Sequence, residues 1–148
     1  MNKENVFETL KIDEGIKYEI YNDHLGYATF GVGHLVIKSD AEAGQDIGTP
    51  VSEERVWECF QNDLDVSILE CGALYETQTF EEFPDTVQEI LVNMMFNMGR
   101  TRLSKFKKMN SALIDGDWKT AAVEGRDSRW HKQVTKRAER LMVRLEEV

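Results

Sequence analysis

A predominantly helical chain with one small antiparallel sheet near its N-terminus is what the sequence predicts, and three observations predict it. Residues 18–32 read as strand, turn, strand around Asn22-Asp23-His24-Leu25-Gly26. Residues 53–74 carry apolar side chains at helical spacing through about six turns. From residue 85 onward the chain is a succession of helical segments punctuated by caps and glycines.

The elements follow in order. Val6, Phe7, Leu10 and Ile12 form a stripe, so residues 3–13 read as a short amphipathic helix ending near Gly15. Glu14 then sits at a helix C-terminus, where the dipole and any burial both disfavour its ionised form. Tyr18, Ile20 and Tyr21 make the first strand, and Tyr27, Thr29, Phe30 and Val32 the second. Asp23 falls in the turn, where Asp is common simply because its side chain bonds nearby amides. Gly31 and Gly33 suit a strained strand exit or the close approach of a ligand.

Residues 38–51 are polar and broken by Gly44, Gly48 and Pro50, which predicts a loop. Ser52 caps the long helix of about 53–74, with Glu53 and Glu54 in its first turn and Val56, Trp57, Phe60, Leu64, Ile68 and Leu69 as its apolar face. Residues 77–84 read as a connection, and Asp85 with Gln88 as a capping box. Residues 90–99 are apolar on nearly every side, which predicts a surrounded helix. Asn93 and Asn97 are its polar exceptions, placed either to satisfy buried backbone or to line a cleft. Leu103, Phe106, Met109, Leu113 and Ile114 predict another helix, and Asp117 caps one over 118–124 that stops at Gly125. Thr135 caps the last helix, which turns Ala138, Leu141, Met142 and Leu145 inward and Lys136, Arg137, Arg140 and Arg144 elsewhere.

Composition bounds the function. The 148 residues fit one domain, with no repeat or linker. Cys59 and Cys71, expected on one helix, would lie ~18 Å apart against a bridging limit of ~7 Å, which predicts free thiols and a reducing compartment. No apolar run approaches the roughly 18 residues a membrane span needs, and the first residues lack the pattern of a secretory signal, so synthesis in the cytoplasm is expected. The net charge of −9 is uneven: residues 1–99 hold 5 basic against 20 acidic residues, net −15, and residues 100–148 hold 13 against 7, net +6. A basic C-terminal part is suited to an anionic polymer, or is a solvated helical surface without a partner. The three histidines and two cysteines have no metal-ligand spacing, so neither metal nor cofactor is expected.

The chemistry concentrates in residues 13–34. Glu14, Asp23 and Thr29 bring two carboxyls and a hydroxyl from one local unit, a set suited to breaking a glycosidic bond, where one acid protonates the leaving oxygen and a second carboxylate activates water or attacks. Spacing alone leaves structural explanations open.

The motifs Asp13-Glu14-Gly15 and Tyr21-x-Asp23-x-x-Gly26-Tyr27-x-Thr29-x-Gly31-x-Gly33-His34 resemble the phage T4-type lysozymes, glycoside hydrolase family 24. Asn93-Met94-x-Phe96-Asn97-Met98-Gly99 is similar to that family too, and Gly116-Asp117-Trp118 and Arg126-Asp127-Ser128-Arg129-Trp130 resemble the lysozyme domains of T4-like tail-spike proteins.

The resemblance implies an α+β, lysozyme-like fold of two lobes: an N-terminal lobe of about 13–58 with a small antiparallel sheet, a linking helix of about 53–74, and a helical lobe of about 75–148 joined by the N-terminal helix 3–13. It implies cleavage of the β-1,4 bond between N-acetylmuramic acid and N-acetylglucosamine in bacterial peptidoglycan. Glu14 would be the general acid, with Asp23 and Thr29 positioning the attacking water. Inversion would follow, which needs carboxyls ~6.5–9.5 Å apart. His34 and Asp63 match a stabilising ion pair; Gly33, Asn93, Asn97 and Arg137 match positions near the substrate.

The loop after His34 is shorter than in the T4-type enzymes, and this chain is acidic where those relatives are often basic. The expectation is a monomeric phage endolysin, made in the host cytoplasm without membrane insertion and reaching the periplasmic wall after another protein permeabilises the membrane. The alternatives are a virion-associated lysozyme and a catalytically silent wall-binding module. A nucleic-acid role is disfavoured because Trp118 and Trp130 fall at core positions.

Overall fold

The computed structural model describes all 148 residues, in the order α1 (Lys3–Glu14), β1 (Lys17–Asn22), β2 (Ala28–Gly31), β3 (His34–Leu35), α2 (Glu53–Tyr75), α3 (Thr77–Glu82), α4 (Asp85–Ser104), α5 (Lys107–Ile114), α6 (Trp118–Arg126), α7 (Arg129–Gln133) and α8 (Thr135–Glu146). The architecture is α+β and mostly helical, consistent with a lysozyme-like fold. Two compact units are distinguishable, one of Lys3–Asp65 and one of Met1–Asn2 with Val66–Val148, and α2 carries the chain from the first into the second. No helix is long and apolar enough to cross a membrane.

In the first unit, α1 buries Val6 and Leu10, and Phe7 meets Trp57 and Phe60 edge-on, each at 4.7 Å between ring centres. Those aromatic contacts pack α1 against α2 within this unit. The strands lie in the order β1-β2-β3, all antiparallel. Tyr21 pairs with Thr29, Thr29 with Leu35, and Phe30 with His34. Side chains alternate across a strand, so Tyr21, Thr29 and Leu35 share one face while Phe30 and His34 share the other. Ile20 and Phe30 form the unit's core with Val51, Val56 and Cys59.

The two-residue β3 was not anticipated, because it is too short to have a period. The segment 36–50 is a chain of turns, as expected, and its end is tied to β1: Ile20 N–H donates to Thr49 O at 2.9 Å, Gly48 N–H to Ile20 O at 2.7 Å and Val51 N–H to Tyr18 O at 2.9 Å. Ser52 Oγ accepts the Arg55 amide at 3.1 Å, as its capping position predicts.

Cys59 and Cys71 are free and buried, both on α2. Burial pushes their thiols up, to about 11 and about 12. The expected apolar face needs two corrections: Leu69 is 73% exposed, with Ser67 the buried residue near it, and Trp57 is exposed as well.

The second unit departs from the expected reading at several points. Residues 77–82 form the short helix α3 rather than a plain connection. The capping box at Asp85 does not form, because Pro84 at the cap has no N–H to receive Gln88. Gln88 Nε2 instead donates back to the carbonyls of Phe83 at 2.9 Å and Glu81 at 3.1 Å. Gly99 (φ 79°, ψ 168°) breaks α4, and the helix expected from Leu103 divides between the end of α4 and α5, with Ile114 59% exposed.

Asp117 caps α6 by accepting the Thr120 amide at 3.1 Å. Gly125 does not end that helix but lies inside it, where a Cβ would stand 2.4 Å from Met142 Sδ and 3.2 Å from Met109 Sδ. Ser128 caps α7. Thr135 makes no cap for α8, whose preceding residue is Val134.

Candidate active site

The first unit assembles the candidate catalytic residues by three local devices. α1 ends on Glu14, and Gly15, at φ +76°, reverses the chain directly into β1. Only a residue without Cβ adopts that backbone at little cost. The hairpin then carries Asp23 at its turn and Thr29 on its return strand.

Asp23 fills the turn role its position suggested. Its Oδ1 accepts the amides of Leu25 at 2.9 Å and Tyr27 at 2.8 Å, and its own N–H donates to Tyr27 O at 2.9 Å. All of the turn's side-chain bonds therefore converge on one oxygen, so Oδ2 takes no part in holding the turn.

Thr29 is buried, and its hydroxyl donates to Tyr27 O at 3.0 Å. The hydroxyl proton is thereby committed to a carbonyl. What Thr29 offers a further partner is the oxygen's lone pair.

Gly33 stands against Glu14: a Cβ there would lie 3.7 Å from Glu14 Oε2 and 3.9 Å from its Cβ. The backbone of Gly33, at φ +64°, thus walls the carboxyl. The phenol of Tyr21 is raised above its ordinary value by burial first and then by the negative charges of Asp23 and Glu14.

His34 faces away from this set, on the core face of the sheet, with its ring 4.9 Å from that of Phe30. Its Nδ1 is 2.7 Å from Asp63 Oδ2 and its Nε2 2.8 Å from Asp40 Oδ2. The hydrogen bond to Asp63 is the main cause of a raised imidazole value, against the opposing effect of burial and with help from Asp40. Asp40 itself is lowered although burial alone would raise it, because the Ile37 amide and His34 bind its carboxylate. Arg55 extends the cluster to Glu42, at 2.9 Å, and Glu58, at 2.9 Å. Asp40 and Arg55 were missed in the sequence because their partners lie across a loop with no period.

The remaining candidates belong to the second unit. Arg137, expected to point away from the core, is buried: its Nε donates to Asn93 Oδ1 at 2.9 Å and its Nη2 to Asn93 O at 3.3 Å. Asn97 Oδ1 accepts Trp130 Nε1 at 2.9 Å. The carbonyl oxygens of both asparagines are therefore used within the fold. His24 lies in the exposed hairpin turn. His131 has a cluster that its sequence neighbours did not reveal, 2.7 Å from Glu139, which Arg126 and then His131 hold down at about 2. No group of three or more His, Cys, Asp or Glu side chains is arranged to hold a metal.

A carboxyl walled by backbone, a second carboxyl with one oxygen outside its turn, and a hydroxyl able to accept form a set suited to hydrolysis.

The "Pre-baseplate central spike protein Gp5" of Enterobacteria phage T4 is 31% identical over 150 residues, which cover 90% of this chain but 26% of that protein. The chain thus spans about a quarter of the spike protein's length. "Probable T4-type lysozyme 2" of Dictyostelium discoideum is 30% identical over 153 residues, covering 91% of this chain and 89% of the relative. "Probable T4-type lysozyme 1" of the same organism is 27% identical over 159 residues, covering 93% and 91%. The family described as phage lysozyme matches residues 11–147, and the chain belongs to that family of enzymes.

Proposed function

We propose that the protein hydrolyses the β-1,4 bond between N-acetylmuramic acid and N-acetylglucosamine in bacterial peptidoglycan, with inversion at the anomeric carbon. The observation that carries this reading is the commitment of the Thr29 hydroxyl to Tyr27 O. A water between Thr29 Oγ1 and Asp23 Oδ2 meets two acceptors, so it donates both hydrogens and presents a lone pair. Glu14 gives its proton to the glycosidic oxygen as the C1–O bond breaks. The water oxygen bonds C1 from the opposite side, and its proton passes to Asp23. No step calls for a cofactor.

The test is clearing of outer-membrane-permeabilised cells by wild type and Glu14→Gln. Wild type is expected to clear, and the variant to lose activity by at least 100-fold. Equal clearing by the two would sink the reading. NMR of fresh product reads the stereochemistry: an α reducing end supports inversion, and a β end means retention.

In the cell we read the chain as a phage endolysin, monomeric, made in the host cytoplasm and dependent on a separate permeabilising protein to reach the wall. Similarity to a central spike protein favours a second reading, a virion-associated lysozyme. Fractionation of purified particles separates them, since only the second puts the chain in the particle.

A further inference from the structure

Of the three groups assigned to the hydrolysis, none keeps a hydrogen-bond donor for the rest of the sugar. Asp23 as a carboxylate only accepts, the proton of Thr29 is bound to Tyr27 O, and the single proton of Glu14 is delivered to the leaving oxygen in the hydrolysis proposed above. An N-acetylated sugar bound there brings an amide carbonyl, its strongest neutral acceptor, which needs a donor once water is displaced.

Tyr21 is placed to supply it. It is paired with Thr29 across β1 and β2, which puts both side chains on one face. Asp23 follows two residues later, in the turn that ends the strand. The ring is held by the Lys17 ammonium, 4.4 Å from its centroid. Burial first, and then the charge of Asp23, favours the phenol as an O–H, a donor.

We propose that Tyr21 is a further catalytic residue, whose hydroxyl donates a hydrogen bond to the acetamido carbonyl of the sugar at the bond being cut. This rests on the hydrolase reading. The bond does two things: it satisfies a carbonyl removed from water, and it keeps that carbonyl from competing with the Thr29-held water for C1. Tyr21→Phe retains the ring under Lys17 and removes only the donor.

The experiment is a cycle of wild type and Tyr21→Phe on glycan strands with native N-acetyl groups and on strands from which they have been removed. The expected result is a loss of about tenfold in kcat/KM for Tyr21→Phe on native strands and a change within twofold on de-N-acetylated ones, with Tm unchanged. Should loss of the acetyl groups alone stop the wild type, the same cycle is read as Kd in the Glu14→Gln background, where no turnover is needed. An equal effect on both strands, or no effect on native ones, overturns the inference while leaving hydrolysis intact. A wild type that clears no cells overturns both together.

Discussion

The Nδ1 of His34 lies 2.7 Å from a carboxylate oxygen of Asp63, and this contact fastens β3 to the middle of α2. Through Nε2 the same ring holds Asp40 on the loop, at 2.8 Å, so one imidazole ties three pieces of chain.

That arrangement makes stability depend on pH in a defined direction. His34 is raised in the folded state, so its contribution is complete below the unfolded value of about 6.5 and is lost as pH rises through the folded value. Asp40 is lowered, so its contribution is complete above its ordinary value of 3.8 and is lost as pH falls through the folded one. Urea midpoints should therefore be highest between about pH 4 and 6.5 and decline toward pH 9. His34→Gln should flatten the alkaline decline; a variant that keeps it would assign the decline to other groups.

Thr29 invites a comparison of serine and valine. Thr29→Ser retains the oxygen that donates to Tyr27 O and is expected to stay within about fivefold of wild-type activity, whereas Thr29→Val removes the acceptor for water and should lose about 100-fold. Rates on permeabilised cells, with Tm as the control for folding, decide it. Equal rates for the two variants would show that the hydroxyl has no part in the reaction.

Arg137→Ala leaves the buried Asn93 Oδ1 without the guanidinium that binds it, at an expected cost of about 1–3 kcal/mol. Arg137→Lys should recover only part, because one ammonium cannot reproduce the fork that reaches both Asn93 oxygens. Urea unfolding of the three proteins measures the difference.

At Gly125 the obstacle is sulfur. A methyl group there overlaps Met142, which is fully buried, so Gly125→Ala should destabilise by about 1–3 kcal/mol even though alanine favours helix. Adding Met142→Ala opens the same space, and the two changes together should cost less than their sum. Strict additivity in calorimetry would count against the clash.

Much of this was readable in the chain because it depended on local rules. Glu14 at a helix end, Asp23 in a turn and Thr29 on the returning strand follow from periodicity and glycine placement. The pairing of His34 with Asp63 came from family resemblance and stands at 2.7 Å. What escaped was set by packing between distant residues. Arg137 carries the surface pattern of a basic helix face, yet Asn93, 44 positions earlier, draws it inside. Gly125 has the spacing of a helix stop, yet what it answers is the bulk of Met142 and Met109. The false capping box at Asp85 is instructive as well, since Gln88 does bond backbone, but on the far side of a proline.

The hydrogen bonds from residues 48–51 to β1 carry a consequence for association between chains. A bare strand edge is a template on which another molecule's backbone can add. Here one edge of the sheet is occupied by the chain's own loop, and the other belongs to β3, which is only two residues long. A protease cut within residues 38–47 would release the cover, and the liberated Tyr18 and Ile20 backbone groups would then be open to intermolecular strand addition. The loop is in that sense the protein's guard against aggregation.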